Sequence, residues 1–220
     1  MSSDHLTVVD VPENRFEDAI YHLKWNFFSD EPLNHAVGLC EKGESQFELE
    51  RHCLLTLKQG YSRMLVDQNG MIAGMALNGI LKKGEREEAE RRLAELNDEK
   101  FKIIFGLLYK VNEKIDLFSK YNVDELFECR ILSVDKNFRG KGLANILMAD
   151  SIETARNAGF KHVLRLTLSV LLPPNGGIHG TLRVYYCRRL AAATKRSLGT
   201  IAAPPKIGSY GRLCRYDYSL

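Results

Sequence analysis

Nothing in the sequence strings together the roughly eighteen apolar residues that a membrane-spanning helix needs. Residues 1–15 also lack the basic-then-apolar plan of a secretory signal. A cytoplasmic protein with no membrane partner is therefore expected. The five cysteines, Cys40, Cys53, Cys129, Cys187 and Cys214, are odd in number and form no CxxC pair. That argues against a disulfide framework, a zinc ribbon and a thioredoxin-like motif alike. His, Cys, Asp and Glu nowhere recur at metal-ligand spacing, so no metal is expected, and no nucleophile elbow is present. Acidic residues all but vanish at one end: of 28, only Asp217 falls in the last sixty residues, which carry ten of the 31 Lys and Arg. A net charge of +3 thus hides an acidic body and a basic C-terminal portion. Such a portion suits a cofactor-facing surface, a nucleic-acid or membrane arm, or a tail of different origin. No recognisable nucleic-acid reader motif stands there, so nucleic acid is not the expected partner.

What remains is 220 residues, 45% hydrophobic and 27% charged, enough for one domain over 1–220. Phe16, Ile20, Leu23 and Phe27 recur every three or four residues and predict an amphipathic helix within 14–28. Pro32 restricts Glu31 to extended conformations, which predicts Glu31 on a rigid turn clear of that helix. A second helix is predicted over 44–58, stopped by Gly60. Residues 62–66 and 71–81 flank Asn69-Gly70 and read as a hairpin. Residues 84–99 are charged enough for a solvated helix. Phe101, Ile104, Phe105, Leu108, Val111 and Ile115 then predict a buried one, and 126–134 a strand. A glycine-bearing loop, 135–144, leads into a helix that ends near Gly159. Residues 162–172 read as a strand and 182–198 as a basic helix. Strands and helices alternate as in an α/β fold.

The loop is the first segment with chemistry in it. A helix N-terminus has unpaired N–H groups and the positive end of the helix dipole, and it binds phosphate where the backbone can be approached. Gly140 and Gly142 permit that approach, and Arg139 and Lys141 add positive charge. The spacing is neither that of a Walker loop nor that of the GxGxxG fingerprint.

Two strings in the same order resemble one family. Leu132-Ser133-Val134 followed by Arg139-Gly140-Lys141-Gly142-Leu143-Ala144 matches the [RQ]xxGx[GA] acetyl-CoA signature of the GNAT N-acetyltransferases. Phe27-Phe28-Ser29-Asp30-Glu31-Pro32-Leu33-Asn34 resembles the FFxDEPLN stretch of the insect arylalkylamine (dopamine) N-acetyltransferases, and Leu77-Asn78-Gly79 resembles a strand found there. The likeness covers roughly residues 7–160. It implies an α/β GNAT fold: a twisted mixed sheet splayed around acetyl-CoA, with flanking helices and an atypical C-terminal portion. It also implies a pantetheine arm along 130–134, lined by Leu132, Ser133 and Val134, and a pyrophosphate on Arg139, Gly140, Lys141, Gly142, Leu143 and Ala144.

The implied reaction needs a base, because an alkylammonium with a pKa of about 10 is mostly protonated at neutral pH. Glu31 matches the family's catalytic glutamate, and repulsion from Asp30 is expected to raise its pKa. A backbone N–H near Ser133 or Val134 would stabilise the oxyanion. Trp25, Phe27 and Phe28 are candidates to face an aryl ring, His22 and His35 to relay protons, and Tyr185 or Tyr186 to protonate the leaving thiolate. The expected amine is dopamine, tyramine, octopamine, serotonin or tryptamine, acetylated by direct attack on a monomeric enzyme. An aliphatic di- or polyamine, and a catalytically lost relative acting as a binding protein, are the alternatives. Beyond about residue 162 the family's pattern is lost, and a missing terminal hairpin would leave the 163–172 strand edge open to aggregation.

Overall fold

Seven strands lie side by side in chain order in the computed structural model: β1 (Thr7–Asp10), β2 (Arg63–Val66), β3 (Ile72–Lys82), β4 (Glu125–Val134), β5 (His162–Leu171), β6 (His179–Arg188) and β7 (Leu213–Ser219). The structure describes the backbone of residues 5–171, 179–188 and 213–219, and the side chains of 5–164 other than 86 and 111–115. Only β4 and β5 run parallel. A parallel neighbour requires a crossover, and the helix α7 (Leu143–Asn157) provides it.

Both faces of the sheet are covered, which is why β3 is buried through most of its length instead of alternating. On one face lie α1 (Phe16–Asn26), α3 (Phe47–Leu57) and α5 (Glu99–Ile115). Their Leu23, Leu49, Cys53, Leu57, Phe101 and Ile104 pack on Met64, Met75, Leu77 and Ile131. On the other, Leu143 and Leu147 of α7 pack on Leu65, Ala73, Ala76 and Cys129. The short α2 (Pro32–Val37) follows α1, the charged α4 (Glu85–Glu95) precedes α5, and the short α6 (Leu117–Tyr121) leads into β4. In the β2–β3 hairpin the Asp67 carboxylate accepts the N–H groups of Asn69 and Met71. Among the described residues, no helix is long and apolar enough to cross a membrane.

One irregularity decides where a site can form. Leu77 of β3 pairs with Ile131, but Asn78 pairs with Cys129, so Arg130 is an extra residue of β4. Such a bulge bends its strand and lets two consecutive side chains share a face. β4 pairs with β5 only through residues 127–129; beyond the bulge it keeps β3 as its one partner. The two strands therefore separate from Arg130 onward, which is the splay the family resemblance implies.

The C-terminal portion departs from expectation. Residues 182–188, predicted as the start of a basic helix, are strand, because β6 pairs along its whole length with β5, from His162↔Arg188 to Leu171↔His179. Val184, Tyr185 and Tyr186 are residue types that suit a strand, and tertiary pairing outweighs the helical reading of the mixed segment. The predicted open edge of β5 is thus occupied, and β7 pairs in turn with β6. Residues 189–198 and the double prolines 173–174 and 204–205 lie outside the described residues.

Candidate active site

Past β4 the chain makes a short turn in which the Asp135 carboxylate accepts the Asn137 N–H, then reaches Gly140 and Gly142 at φ of +80° and +77°. Only glycine adopts such angles without strain. Gly142 caps α7 with no side chain of its own, and no atom lies within 4 Å of where a Cβ would sit on either glycine. The first N–H groups of α7 therefore open onto bare backbone, the arrangement that receives an anion. In front of them is a cavity of about 510 Å³, lined by Glu31 and by every residue expected to hold acetyl-CoA except Lys141. The Lys141 ammonium lies 5.1 Å from the centre of the Phe138 ring.

Glu31 reaches that cavity from the opposite side. Its extended backbone, with ψ of 129°, follows from Pro32, which occupies the first turn of α2. The predicted turn is there, clear of α1, and Glu31 also caps α2, a helix the sequence pattern did not suggest. One carboxylate oxygen accepts the Asn34 N–H at 2.8 Å, while the Asn34 side chain donates to the Phe28 carbonyl at 2.9 Å. Leu33 and Asn34 are buried, which fixes the turn. Glu31 is half-buried, and burial raises its pKa, opposed by hydrogen bonds from the Asn34 and Leu33 backbone. Repulsion from Asp30 is not the cause. Asp30 is paired with Arg139 at 2.9 Å, and the same guanidinium donates to the carbonyls of Val134 and Asn26, each at 3.0 Å. Arg139 thus ties the glycine loop to the end of α1 while lining the cavity.

A second cavity, of about 600 Å³, lies on the helical side of the sheet. Its walls are mostly apolar, with Leu49 of α3, Ile104, Phe105 and Leu108 of α5, and Leu126 and Ile131 of β4. The bulge allows Arg130 and Ile131 to face it together with Leu126 and Glu128. Gly79 lets Arg130 cross β3: a Cβ there would lie 2.8 Å from the guanidinium carbon. Arg130 is held by Glu128, by Thr56 Oγ1 and by the Ile80 carbonyl, at 3.2, 2.9 and 2.9 Å. Phe27 and Glu31 line both cavities. This size is within the range of small-molecule pockets, and an apolar wall with a few polar groups is their usual make-up.

Between α1 and β4 runs a buried polar thread. His22, 5% exposed, lies 3.0 Å through Nε2 from the hydroxyl of Ser133, itself 2% exposed. The ring also donates to the Ile72 carbonyl. Burial pushes its pKa down to about 4, so the ring is neutral, with one donor and one acceptor nitrogen, and Nε2 shares a hydrogen bond with the Ser133 hydroxyl. Asn26 continues the thread: its amide donates to the His22 carbonyl and its side-chain oxygen accepts the Lys136 N–H.

Several expectations are now placed. Phe27 faces the cavities, Phe28 is core, and Trp25 lies over Gly43, 42% exposed. His35, at the end of α2, lines neither cavity. The side chains of Tyr185 and Tyr186 lie outside the described residues. Sequence reasoning missed His52, Tyr109, Glu128 and Arg130. Their signals were a histidine beside the Leu49–Cys53–Thr56 stripe and two charges inside an otherwise apolar strand. Among the described residues, no cluster of three potential ligands could hold a metal.

Residues 18–175 match the Acetyltransferase (GNAT) family. Arylalkylamine N-acetyltransferase 2 from Aedes aegypti is 46% identical, with 74% of this chain and 76% of that one covered and a TM-score of 0.71. A putative arylalkylamine N-acetyltransferase 7 from the same mosquito is 27% identical over 78% of this chain and 69% of that one, with a TM-score of 0.66. Drosophila melanogaster polyamine N-acetyltransferase, 18% identical over 83% of this chain and 99% of that one, shares the fold, with a TM-score of 0.70. With a signature loop at the start of α7, a β4 that splays at its bulge and these similarities, the chain belongs to the GNAT family of acetyl-CoA-dependent N-acetyltransferases and is arylalkylamine N-acetyltransferase-like.

Proposed function

We propose that the protein acetylates arylalkylamines such as dopamine, tyramine, octopamine, serotonin or tryptamine, with Glu31 as general base. The carrying observation is that Glu31 and Phe27 line both cavities. Acetyl-CoA fits the cavity beside the glycine loop, with its pyrophosphate on the first turn of α7 and its pantetheine along Leu132, Ser133 and Val134. That stretch of β4 has β3 on one side only, and an edge strand offers alternate N–H and C=O groups to an added strand. The amine fits the other cavity, with its ring among the apolar walls and its nitrogen at Glu31.

The steps follow from that placement. The carboxylate attracts the ammonium and takes one proton; the freed lone pair attacks the thioester carbonyl. A backbone N–H at the outer edge of β4 near Ser133 or Val134 stabilises the oxyanion. The C–S bond then breaks, the nitrogen gives up its second proton and the departing CoA thiolate takes one up, leaving the amide and the free CoA thiol. A base at a half-buried site, with its pKa raised by burial, is better matched to this task than an ordinary surface carboxylate.

The test is amine-dependent thiol release from acetyl-CoA, with tyramine, dopamine and spermidine compared and Glu31→Gln alongside. We expect turnover of the aryl amines, a loss of about 10²- to 10⁴-fold in the variant, and disappearance of the acidic limb of the kcat/KM profile. An unchanged profile in Glu31→Gln removes Glu31 as the base. Faster turnover of spermidine assigns the site to an aliphatic amine.

A further inference from the structure

The second cavity contains a polar group that the reaction does not use. His52, on α3, lines it, with its ring edge-on to Phe105, centroids 5.1 Å apart and planes at 66°. Among the described residues no protein group hydrogen-bonds the ring; the Thr56 hydroxyl donates to the backbone carbonyl of His52, not to its imidazole. Deep placement and the nearby Arg130 charge push its pKa down to about 4, yet the residue keeps partial access because it faces the cavity. A neutral imidazole has one donor and one acceptor nitrogen. Left unpaired in an apolar pocket, such a group favours a ligand that can satisfy it and penalises one that cannot.

The surroundings select among possible ligand groups. Arg130 is fixed by three hydrogen bonds, one of them to Glu128, and its charge disfavours a protonated His52. A second ammonium, as in a polyamine, gains no anionic partner from a neutral ring held beside an arginine. A neutral hydroxyl needs none, and Phe105 beside the imidazole offers its ring to an aryl group. On the reading that the site takes arylalkylamines, we infer that His52 recognises a phenolic hydroxyl on the substrate ring, making it a specificity-determining residue for ring-hydroxylated arylalkylamines.

The test compares kcat/KM for tyramine and for 2-(4-methylphenyl)ethylamine, which replaces the hydroxyl by a methyl of similar size, in wild type, His52→Leu and His52→Gln. Wild type is expected to favour tyramine by about tenfold, the scale of one neutral hydrogen bond in a buried site. His52→Leu should bring the ratio to near one, and His52→Gln, which keeps a donor and an acceptor, should retain most of it. An equal ratio in wild type and His52→Leu overturns the inference. If His52→Leu does not fold, a wild-type ratio at or below one overturns it as well. Turnover of both aryl amines with no hydroxyl preference refutes only the role of His52. Turnover of spermidine alone refutes the arylalkylamine reading and the inference with it.

Discussion

Acid should loosen this protein through its two buried histidines, His22 and His52, and His22 can be tested separately. His22 is neutral in the fold, with a pKa of about 4, because burial in the seam between α1 and β4 outweighs the attraction of Asp135. Unfolded, the ring returns to about 6.5. A folded pKa below the unfolded one means that the unfolded chain binds more protons between about pH 6.5 and 4. Stability from this group is therefore complete above pH 6.5 and falls as the pH drops through that window. The full loss is about 3 kcal/mol, of which about 2 kcal/mol is gone by pH 5. Against a typical total of about 5–15 kcal/mol, that is large. Urea unfolding of wild type and His22→Gln at pH 7.5 and pH 5.0 isolates the effect, since carboxylate titrations common to both cancel. Wild type should lose about 2 kcal/mol more than the variant across that interval, a shift of about 1 M in midpoint at an ordinary urea slope. Equal losses in the two proteins would mean that His22 is not held neutral against Ser133, and the polar thread beneath β4 would have to be redrawn.

Three further outcomes follow from the geometry. Gly142→Ala forces a Cβ into a left-handed position, a cost of about 1–2 kcal/mol, and places a methyl where a phosphate would approach; the KM for acetyl-CoA should rise more than the KM for amine. Asp30→Asn breaks the pair with Arg139, but both side chains are more than a third exposed. Such pairs contribute about 0–1 kcal/mol, so the melting temperature should barely move, while Arg139→Ala, which also frees the Val134 and Asn26 carbonyls, should raise the KM for acetyl-CoA severalfold. Gly79→Ala meets the guanidinium of Arg130, whose three hydrogen bonds prevent it from simply swinging away; kcat/KM for amine should fall with the KM for acetyl-CoA unchanged. Equal changes in both constants would place Arg130 outside the amine cavity.

The backbone of the proposed cofactor side could be read from sequence because its signals are local. A glycine loop between a strand and a helix specifies its own backbone, and Gly140 through Ala144 stand where that rule places them. Glu31 was legible for the same reason, since Pro32 dictates the backbone of its neighbour. The amine side is different. Its walls come from α1, α3, α5 and β4, and apolar residues there look the same in sequence whether they pack against protein or enclose a cavity: Phe101 is core, whereas Phe105, one helical turn on, lines open space. The charge on Glu31 shows the limit from another direction. An adjacent Asp30 suggested repulsion, but which partner a carboxylate finds is settled by chain segments far away, and Asp30 finds Arg139, 109 residues on.

The bulge at Arg130 brings these two kinds of information together. In a regular strand, side chains alternate, and residues 128 and 131 would point to opposite faces. The extra residue puts Glu128, Arg130 and Ile131 on the amine side, while Leu132 and Val134 still turn toward α7 and Ser133 toward His22. The same residue ends the pairing of β4 with β5 and opens the edge that the pantetheine arm would join. A single inserted position thus opens the cleft and turns the strand toward both cavities at once. Gly79, opposite, is what lets its side chain fit. That is a physical reason for the Leu77-Asn78-Gly79 string: Leu77 faces the α1 core, Asn78 donates to Ser151 of α7 on the other face, and Gly79 leaves room for the arginine.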